Sequence, residues 1–220
     1  MKNEAGTIRL FAWNVNGIRA VLKSGELKNF IDKTKPQILC LNETKIDQET
    51  LQKDGIMQEI EKLGFKVKNQ HWNCCSVKKG YSGTAIFIDN SIENQLLKVS
   101  MDLPELDDGE GRVVTALFKT FNVLCTYVPN SGVMGLDRLG YRVDKWDKEL
   151  QRFLKYLEEK TSNPVIWCGD LNVAHHEIDI YGASKAKEKQ AGYTPQERAS
   201  FGNFLKESGF IDSFRHLHPG

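Results

Sequence analysis

Short apolar runs bounded by polar breaks recur along the chain. Residues 8–13 read as a buried strand, broken by Asn14-Val15-Asn16-Gly17. Helical spacing over 27–31 ends before Pro36, and 38–41 is a second short apolar run closed by Asn42-Glu43-Thr44-Lys45. Stretches 84–88, 113–118 and 121–128 are rich in β-branched and aromatic residues, as strands are. The Lys119-Thr120 step between the last two predicts a tight hairpin. Residues 139–160 form the longest helical candidate. Val143, Trp146, Leu150, Phe153, Leu154 and Leu157 fall at spacings of three and four, which gives one apolar stripe. Asn163-Pro164 ends it, and 165–168 is a further strand closed by Gly169-Asp170. Thr194-Pro195-Gln196-Glu197 opens another helix, with Thr as N-cap, Pro at the first position and Glu completing a capping box. The pattern predicts an α/β fold in which strands pair locally as well as through helical crossovers.

Composition narrows the class. The chain has 220 residues, 40% hydrophobic and 27% charged, which suits one large domain over 8–220 behind a short polar tail at 1–7. No apolar run approaches the ~20 residues a membrane helix needs, and the polar start carries no signal or transit pattern. Five cysteines are an odd count without zinc spacing. Cys40, Cys125 and Cys168 lie inside apolar runs and read as small core residues of a reducing compartment, while Cys74-Cys75 are adjacent. Net charge is +1, which by itself predicts no nucleic-acid binding. Lys78-Lys79 and Lys185, Lys187 and Lys189 sit in loop-like stretches and read as solvated surface.

Chemistry collects at the strand ends. Four apolar runs terminate in Asn14-Val15-Asn16, in Asn42-Glu43, in Tyr127 leading to Asn130, and in Gly169-Asp170-Leu171-Asn172. Turns attract such residues, and ligands of α/β sheets gather at strand ends. The residue types suit Mg²⁺, a hard cation that binds through one or two carboxylates and keeps water and phosphate for the rest. Glu43 and Asp170 supply carboxylates, and Asn14 and Asn172 supply amides. His175-His176-Glu177 is read as loop or capping sequence, because adjacent side chains on a strand or helix point apart.

Taken together, these segments resemble a known family. Trp13-Asn14-Val15-Asn16-Gly17-Ile18-Arg19-Ala20 resembles the opening motif of exonuclease III-type apurinic/apyrimidinic (AP) endonucleases, and Leu41-Asn42-Glu43-Thr44-Lys45 resembles their metal-binding motif. Gly80-Tyr81-Ser82-Gly83 resembles a DNA-contacting loop, Tyr127-Val128-Pro129-Asn130 the catalytic-tyrosine motif and Gly169-Asp170-Leu171-Asn172 the catalytic-aspartate motif. Thr194-Pro195-Gln196-Glu197-Arg198 and Asp212-Ser213-Phe214-Arg215-His216 resemble later signatures, in the same order. The wording is closer to human-type members than to the bacterial enzyme.

The resemblance implies a two-sheet α/β sandwich of the DNase I-like type, and hydrolysis of the phosphodiester 5′ to an abasic site. It also implies 3′–5′ exonuclease and 3′-repair phosphodiesterase activities. Double-stranded DNA with abasic sites would be the partner, Mg²⁺ (or Mn²⁺) the cofactor and a monomer the working form. The location would be the nucleus of a eukaryote or the cytoplasm of a prokaryote. Glu43 would hold the metal, with Asp170 and Asn172 beside it and Asn14 and Asn16 in its outer shell. Asp170 would orient and deprotonate the attacking water, and Asn172 would bind a phosphate oxygen. Tyr127 would act near the phosphate or leaving group as an acid or as a hydrogen-bond donor, its ordinary pKa near ~10 making a donor the simpler default. Arg19, Lys23, Lys45, Tyr81, Asn130 and Arg138 would meet DNA, chiefly its phosphates, and so position the duplex without reading its sequence.

Three departures stand out. Asn16 replaces an Asp of human-type members, as in bacterial ones. Val133-Met134 follow where human-type members insert an Arg. The chain closes at His218-Pro219-Gly220, ahead of the family's pocket-lining Trp and Phe and its Ser-Asp-His motif, so the last strands are expected to be missing. Losing one electrostatic stabiliser costs ~10²–10³ in rate, which predicts low activity and low stability for this length of chain. Two other readings stay open: a phosphatase of the same superfamily, and a non-catalytic fragment that binds abasic DNA. The redox role described for vertebrate members is not implied, because Phe11-Ala12, not Cys, precede Trp13.

Overall fold

The structure is a computed structural model describing residues 7–106, 108–132 and 135–219. The chain forms two compact units, one comprising residues up to Val128 with Thr161–Leu171, the other Pro129–Lys160 with the residues from Asn172 onward.

The first unit carries the strands β1 (Leu10–Asn14), β2 (Ile38–Asn42), β3 (Gln70–Asn73), β4 (Thr84–Ile88), β5 (Leu96–Met101), β6 (Val113–Phe118), β7 (Asn122–Tyr127) and β8 (Val165–Asp170). They make two four-stranded sheets, ordered β1-β2-β4-β3 and β5-β6-β7-β8. The β1–β2 and β7–β8 pairs are parallel and the others antiparallel. Helices α1 (Ile18–Lys23) and α2 (Glu26–Thr34) connect β1 to β2, while α3 (Gln48–Lys53) and α4 (Ile56–Lys62) connect β2 to β3. The α/β two-sheet sandwich expected from the sequence is therefore present.

Strand β2 shows why the run at 38–41 is apolar at every position. Leu39 and Leu41 pack outward against Ile18, Val21, Leu27, Ile31, Leu51 and Ile60 of the helices. Ile38 and Cys40 turn inward, where Ile86, Val114, Phe118, Val123 and Cys125 complete the layer between the sheets. A strand buried on both faces leaves no place for a polar side chain in its middle.

At its end it does carry one. Asn14, Asn42, Thr84 and Asn73 are in register across β1, β2, β4 and β3 and form one polar rung of the first sheet. By strand alternation these side chains share the inward face with Ile38, Cys40 and Ile86, and Asn42 and Thr84 are fully buried. Buried polar groups must find partners, and here the partners lie across the sandwich. Thr84 Oγ1 donates to Gly111 O at 3.1 Å, and Asn73 Nδ2 to Val113 O at 2.9 Å. Asn42 Oδ1 accepts the Asp170 N–H at 3.1 Å. Asn14 Nδ2 donates to the Asp170 carboxylate at 2.8 Å.

The second unit is helical. A π-helical segment, Tyr141–Trp146, runs into α5 (Asp147–Thr161), and α6 (Pro195–Ser208) and α7 (Ser213–Leu217) follow. The sequence predicted one regular helix over 139–160. The opening turns are wider because buried Arg142 donates from Nε to Asp147 Oδ1 at 2.7 Å, five residues on, the spacing a π turn brings into line. Asp147 also accepts from Ser200 Oγ at 2.7 Å, and Arg142 donates to Pro129 O at 3.0 Å. The capping box of α6 is formed as predicted, and Glu197 extends it by accepting from Ser131 Oγ and the Gly192 N–H.

Helices and strands the sequence left unassigned are short or half-exposed: α1, α3, α4, β3, β5 and α7. The sequence Gln70-His71-Trp72-Asn73 lacks strand composition, and β5 has exposed positions at Leu97 and Lys98 that blur alternation. Cys40 and Cys125 are buried and Cys168 half-buried, all as free thiols.

Gly169 is where the two sheets come closest to the rung. Its φ is +122°, and a Cβ there would lie 2.1 Å from Thr126 O and 3.0 Å from Asn42 Oδ1. The backbone conformation alone costs a side chain ~1–3 kcal/mol. Gly169→Ala is expected to lower the melting temperature by roughly 4–8 °C, taking ~2 kcal/mol over a chain of this size. Thermal unfolding followed by circular dichroism measures it.

Candidate active site

Asn14 ends β1 and is the hinge of the site. Its Nδ2 donates to Glu43 Oε2 and to Asp170 Oδ2, at 2.8 Å each. Its Oδ1 accepts the Asn16 N–H at 3.0 Å, which orients the amide with both N–H groups toward the carboxylates. One nitrogen serving two acceptors holds those carboxylate oxygens within about 5 Å of each other. Lys45 Nζ pairs with Glu43 Oε1 at 2.8 Å and also donates to Asn16 Oδ1. Burial raises the Glu43 pKa, but Lys45, Asn14 and Tyr127 together hold it below the ordinary value.

Tyr127 ends β7 in register with Asp170, and Val128 N–H donates to Asp170 O at 2.9 Å. Burial, with the negative charge of Glu43 next, pushes the phenol pKa up to about 12. The hydroxyl is therefore a neutral donor at any physiological pH. Beneath it lies Arg112, almost wholly buried, with its guanidinium 4.7 Å from the Tyr127 ring centre. Arg112 donates to Glu110 at 2.6 Å, to Tyr127 O at 3.0 Å and to the Tyr81 hydroxyl at 3.0 Å. It thus ties the Gly80-Tyr81-Ser82-Gly83 loop to the end of β7.

The loops around this cluster hold unfavourable backbone. Asn16, Glu43, Lys45 and Ser82 all have positive φ, from 46° to 58°. Such a conformation is uncommon for non-glycine residues and costs energy that surrounding contacts must offset. They do so through paired backbone bonds. Gly17 N–H donates to Glu43 O and Ile18 N–H to Thr44 O, while Thr44 N–H donates to Gly83 O and Lys45 N–H to Ser82 O. The segment 43–45 is laced on both sides, so the Glu43 and Lys45 side chains leave it in set directions.

Of the residues expected from sequence, Asn14, Asn16, Glu43, Lys45, Tyr127 and Asp170 meet in this cluster, and Tyr81 joins it through Arg112. Arg19 and Lys23 are exposed on α1, Arg19 lying 3.9 Å from Asp54. Asn130, Arg138 and Asn172 belong to the second unit. Asn130 Oδ1 accepts the Gly132 N–H at 2.9 Å, Arg138 stacks 5.0 Å from the Tyr141 ring and Asn172 has φ 46°. Val133 and Met134 lie outside the described residues. His176 caps a short 3-10 turn as expected, yet its ring meets that of His175 at 3.9 Å instead of pointing away, because both sit in loop backbone.

Sequence reasoning missed Asn42, Arg112 and Thr44 as site residues. Arg112 had a signal: a cation between Gly111 and an apolar strand. Asn42 had one too, as the polar terminus of a run apolar throughout. No group of three or more His, Cys, Asp or Glu side chains is set to hold a metal among the described residues. The donor set is instead the two carboxylates of Glu43 and Asp170, which fits a hard cation that takes few protein ligands, while the Asn14 amide turns its N–H groups to those carboxylates and keeps its oxygen on the Asn16 N–H. No helix among those residues is long and apolar enough to cross a membrane.

Comparison with known proteins agrees with this geometry. Residues 11–212 match the model of the Endonuclease/Exonuclease/phosphatase family. An exodeoxyribonuclease of Bacillus subtilis is 41% identical over 212 residues, covering 96% of this chain and 76% of that protein. A DNA-(apurinic or apyrimidinic site) endonuclease of Dictyostelium discoideum is 38% identical over 219 residues, so that the whole chain spans 56% of that relative. The crystal structure of an AP endonuclease from Leishmania major superposes with a TM-score of 0.80 at 34% identity, covering 96% of this chain and 70% of that one. The chain belongs to the Endonuclease/Exonuclease/phosphatase family, among relatives named as AP endonucleases and exodeoxyribonucleases.

Proposed function

We propose that this chain carries the catalytic strand ends of a Mg²⁺-dependent DNA-repair nuclease that hydrolyses the phosphodiester 5′ to an abasic site. The observation that carries the reading is the Asn14 amide bridging the Glu43 and Asp170 carboxylates beside Tyr127. Exonuclease and 3′-repair phosphodiesterase activities use the same bond chemistry at a 3′ end. Mn²⁺ suits the same oxygen donors.

Glu43 would hold the cation, with Asp170 and Asn172 beside it and Asn14 and Asn16 in the outer shell. When bound, the cation would offset charge on the phosphoryl and leaving oxygens. Asp170, its carboxylate aimed by Asn14, accepts a proton from the attacking water. Tyr127 keeps its proton and donates a hydrogen bond to the phosphate as charge develops there. Asn172 binds a phosphate oxygen. Arg19, Lys23, Lys45, Tyr81, Asn130 and Arg138 contact DNA, chiefly the backbone, which fixes register without reading sequence. Selectivity for the abasic site follows from cheap extrusion of a nucleotide that has no base to unstack.

The direct test is incision of a labelled duplex bearing one synthetic abasic site, with Mg²⁺ and with EDTA. Cleavage 5′ to the site is expected to need the metal and to disappear in Asp170→Ala and Glu43→Gln. Cleavage that survives either substitution overturns the reading, and turnover of a phosphoinositide in its place supports the phosphatase alternative.

Two further outcomes follow from the electrostatics. Tyr127→Phe is expected to lower kcat by ~10²–10³, the usual cost of one oxyanion donor. The rate profile of the unsubstituted protein should show no fall near pH ~10, where an ordinary tyrosine ionises, since this phenol titrates at about 12. On the acid side, the lowered Glu43 pKa keeps its carboxylate charged to below the ordinary value of 4.5. Loss of a charged Glu43 should therefore appear only as pH falls below that value.

A further inference from the structure

We propose that Asn42 is a positioning residue for the nuclease chemistry: a strut between the two sheets that sets the gap between the Glu43 and Asp170 carboxylates. The proposal rests on the functional reading above and extends it to a residue that touches neither substrate nor metal.

Three observations converge on Asn42. It is fully buried, so it has no part in contacting DNA. Its main chain belongs to the first sheet, in register with Asn14 on one side and Thr84 on the other, and its next neighbour is Glu43. Its side chain belongs to the second sheet, because Oδ1 accepts the Asp170 N–H at 3.1 Å and Nδ2 reaches Cys125 Sγ at 3.4 Å. One residue thus connects the backbone that bears one carboxylate to the backbone that bears the other.

The surroundings are built to let this contact form. Gly169, with φ +122°, turns the chain immediately before Asp170, and a Cβ on it would crowd Asn42 Oδ1 at 3.0 Å. Asp170 O is engaged separately by Val128 N–H, so the two polar groups of this peptide backbone are held from different sheets. Asn14 also bridges the carboxylates, but from side chain to side chain. Asn42 acts one level deeper, on the backbone from which Asp170 projects. Supports of this outer kind are typically worth about 10–100-fold in metal affinity or activity.

The test compares Asn42→Leu, which fills the space but cannot accept a hydrogen bond, with Cys125→Ala, which removes only the other partner of the same amide. Asn42→Ser, polar but too short to bridge, serves if the leucine variant does not fold. Three quantities are measured: hydrogen exchange at the Asp170 amide without metal, binding of Mn²⁺ alone by electron paramagnetic resonance, and kcat and KM on the abasic duplex. The Asn42 variants are expected to expose the Asp170 amide to exchange, weaken Mn²⁺ by about 10–100-fold and lower kcat over the same range with KM nearly unchanged. Cys125→Ala should leave all three near wild type.

An Asn42 variant that melts earlier yet keeps Mn²⁺ affinity and kcat makes the residue a packing element only and overturns the proposal. An equal loss in Cys125→Ala overturns it too, since the effect would then be general to the core. Failure of the functional reading looks different: the unsubstituted protein would neither incise nor bind Mn²⁺ through Asp170. Amide exchange still decides the strut in that case, and unchanged exchange at Asp170 in Asn42→Leu overturns it.

Discussion

A polar side chain placed at the end of a buried strand must be hydrogen-bonded or the fold loses the cost of its desolvation. The first sheet has four such residues on one rung, Asn14, Asn42, Thr84 and Asn73, all on the inward face. Their own sheet has already used its backbone groups in the ladder. The partners that remain are on the opposite sheet: Asp170, Gly111 and Val113. Closing the sandwich at this end and assembling the site are therefore one event. The end of β8 is drawn to the ends of β1 and β2, and Asp170 arrives next to Glu43 because the rung needs acceptors and donors there.

Two carboxylates brought so close repel each other. The structure answers with donors and not with burial of the charge. Asn14 gives one N–H to each carboxylate, and Lys45 sits on the far side of Glu43. Arg112 supplies positive charge from below, under Tyr127. Negative charge gathered at one point with few protein ligands is the condition that attracts a hard cation and leaves room for phosphate oxygens. Burial, with the negative charge of Glu43 next, keeps the Tyr127 phenol protonated against the opposing pull of Arg112, which suits a hydrogen-bond donor.

Strain and rigidity support this arrangement. Glu43 and Lys45 occupy left-handed backbone that neither residue type prefers, and four backbone hydrogen bonds from the neighbouring loops hold them there. Relatives named as AP endonucleases match nearly the whole of this chain and extend beyond it, the Dictyostelium protein by close to half its own length.

Much of this was legible in the residues. Strands 84–88 and 113–118 follow from β-branched composition, and the helix starting at Pro195 follows from its capping box. Asn14, Glu43, Tyr127 and Asp170 were visible as polar termini of apolar runs, since local composition determines where a buried strand must stop. The π opening before α5, the short α3 and β3, and the roles of Asn42 and Arg112 were not. The elements were too short for a periodic pattern, and the roles of Asn42 and Arg112 depend on partners distant in sequence: Asp170 for Asn42, Tyr81 and Tyr127 for Arg112. Sequence by itself determined which apolar strands end in polar and acidic residues, because that is a matter of residue type and period. Only the tertiary structure decided which of those ends meet and which buried polar group holds them apart at a set distance, because a hydrogen bond between sheets has no local signature along the chain.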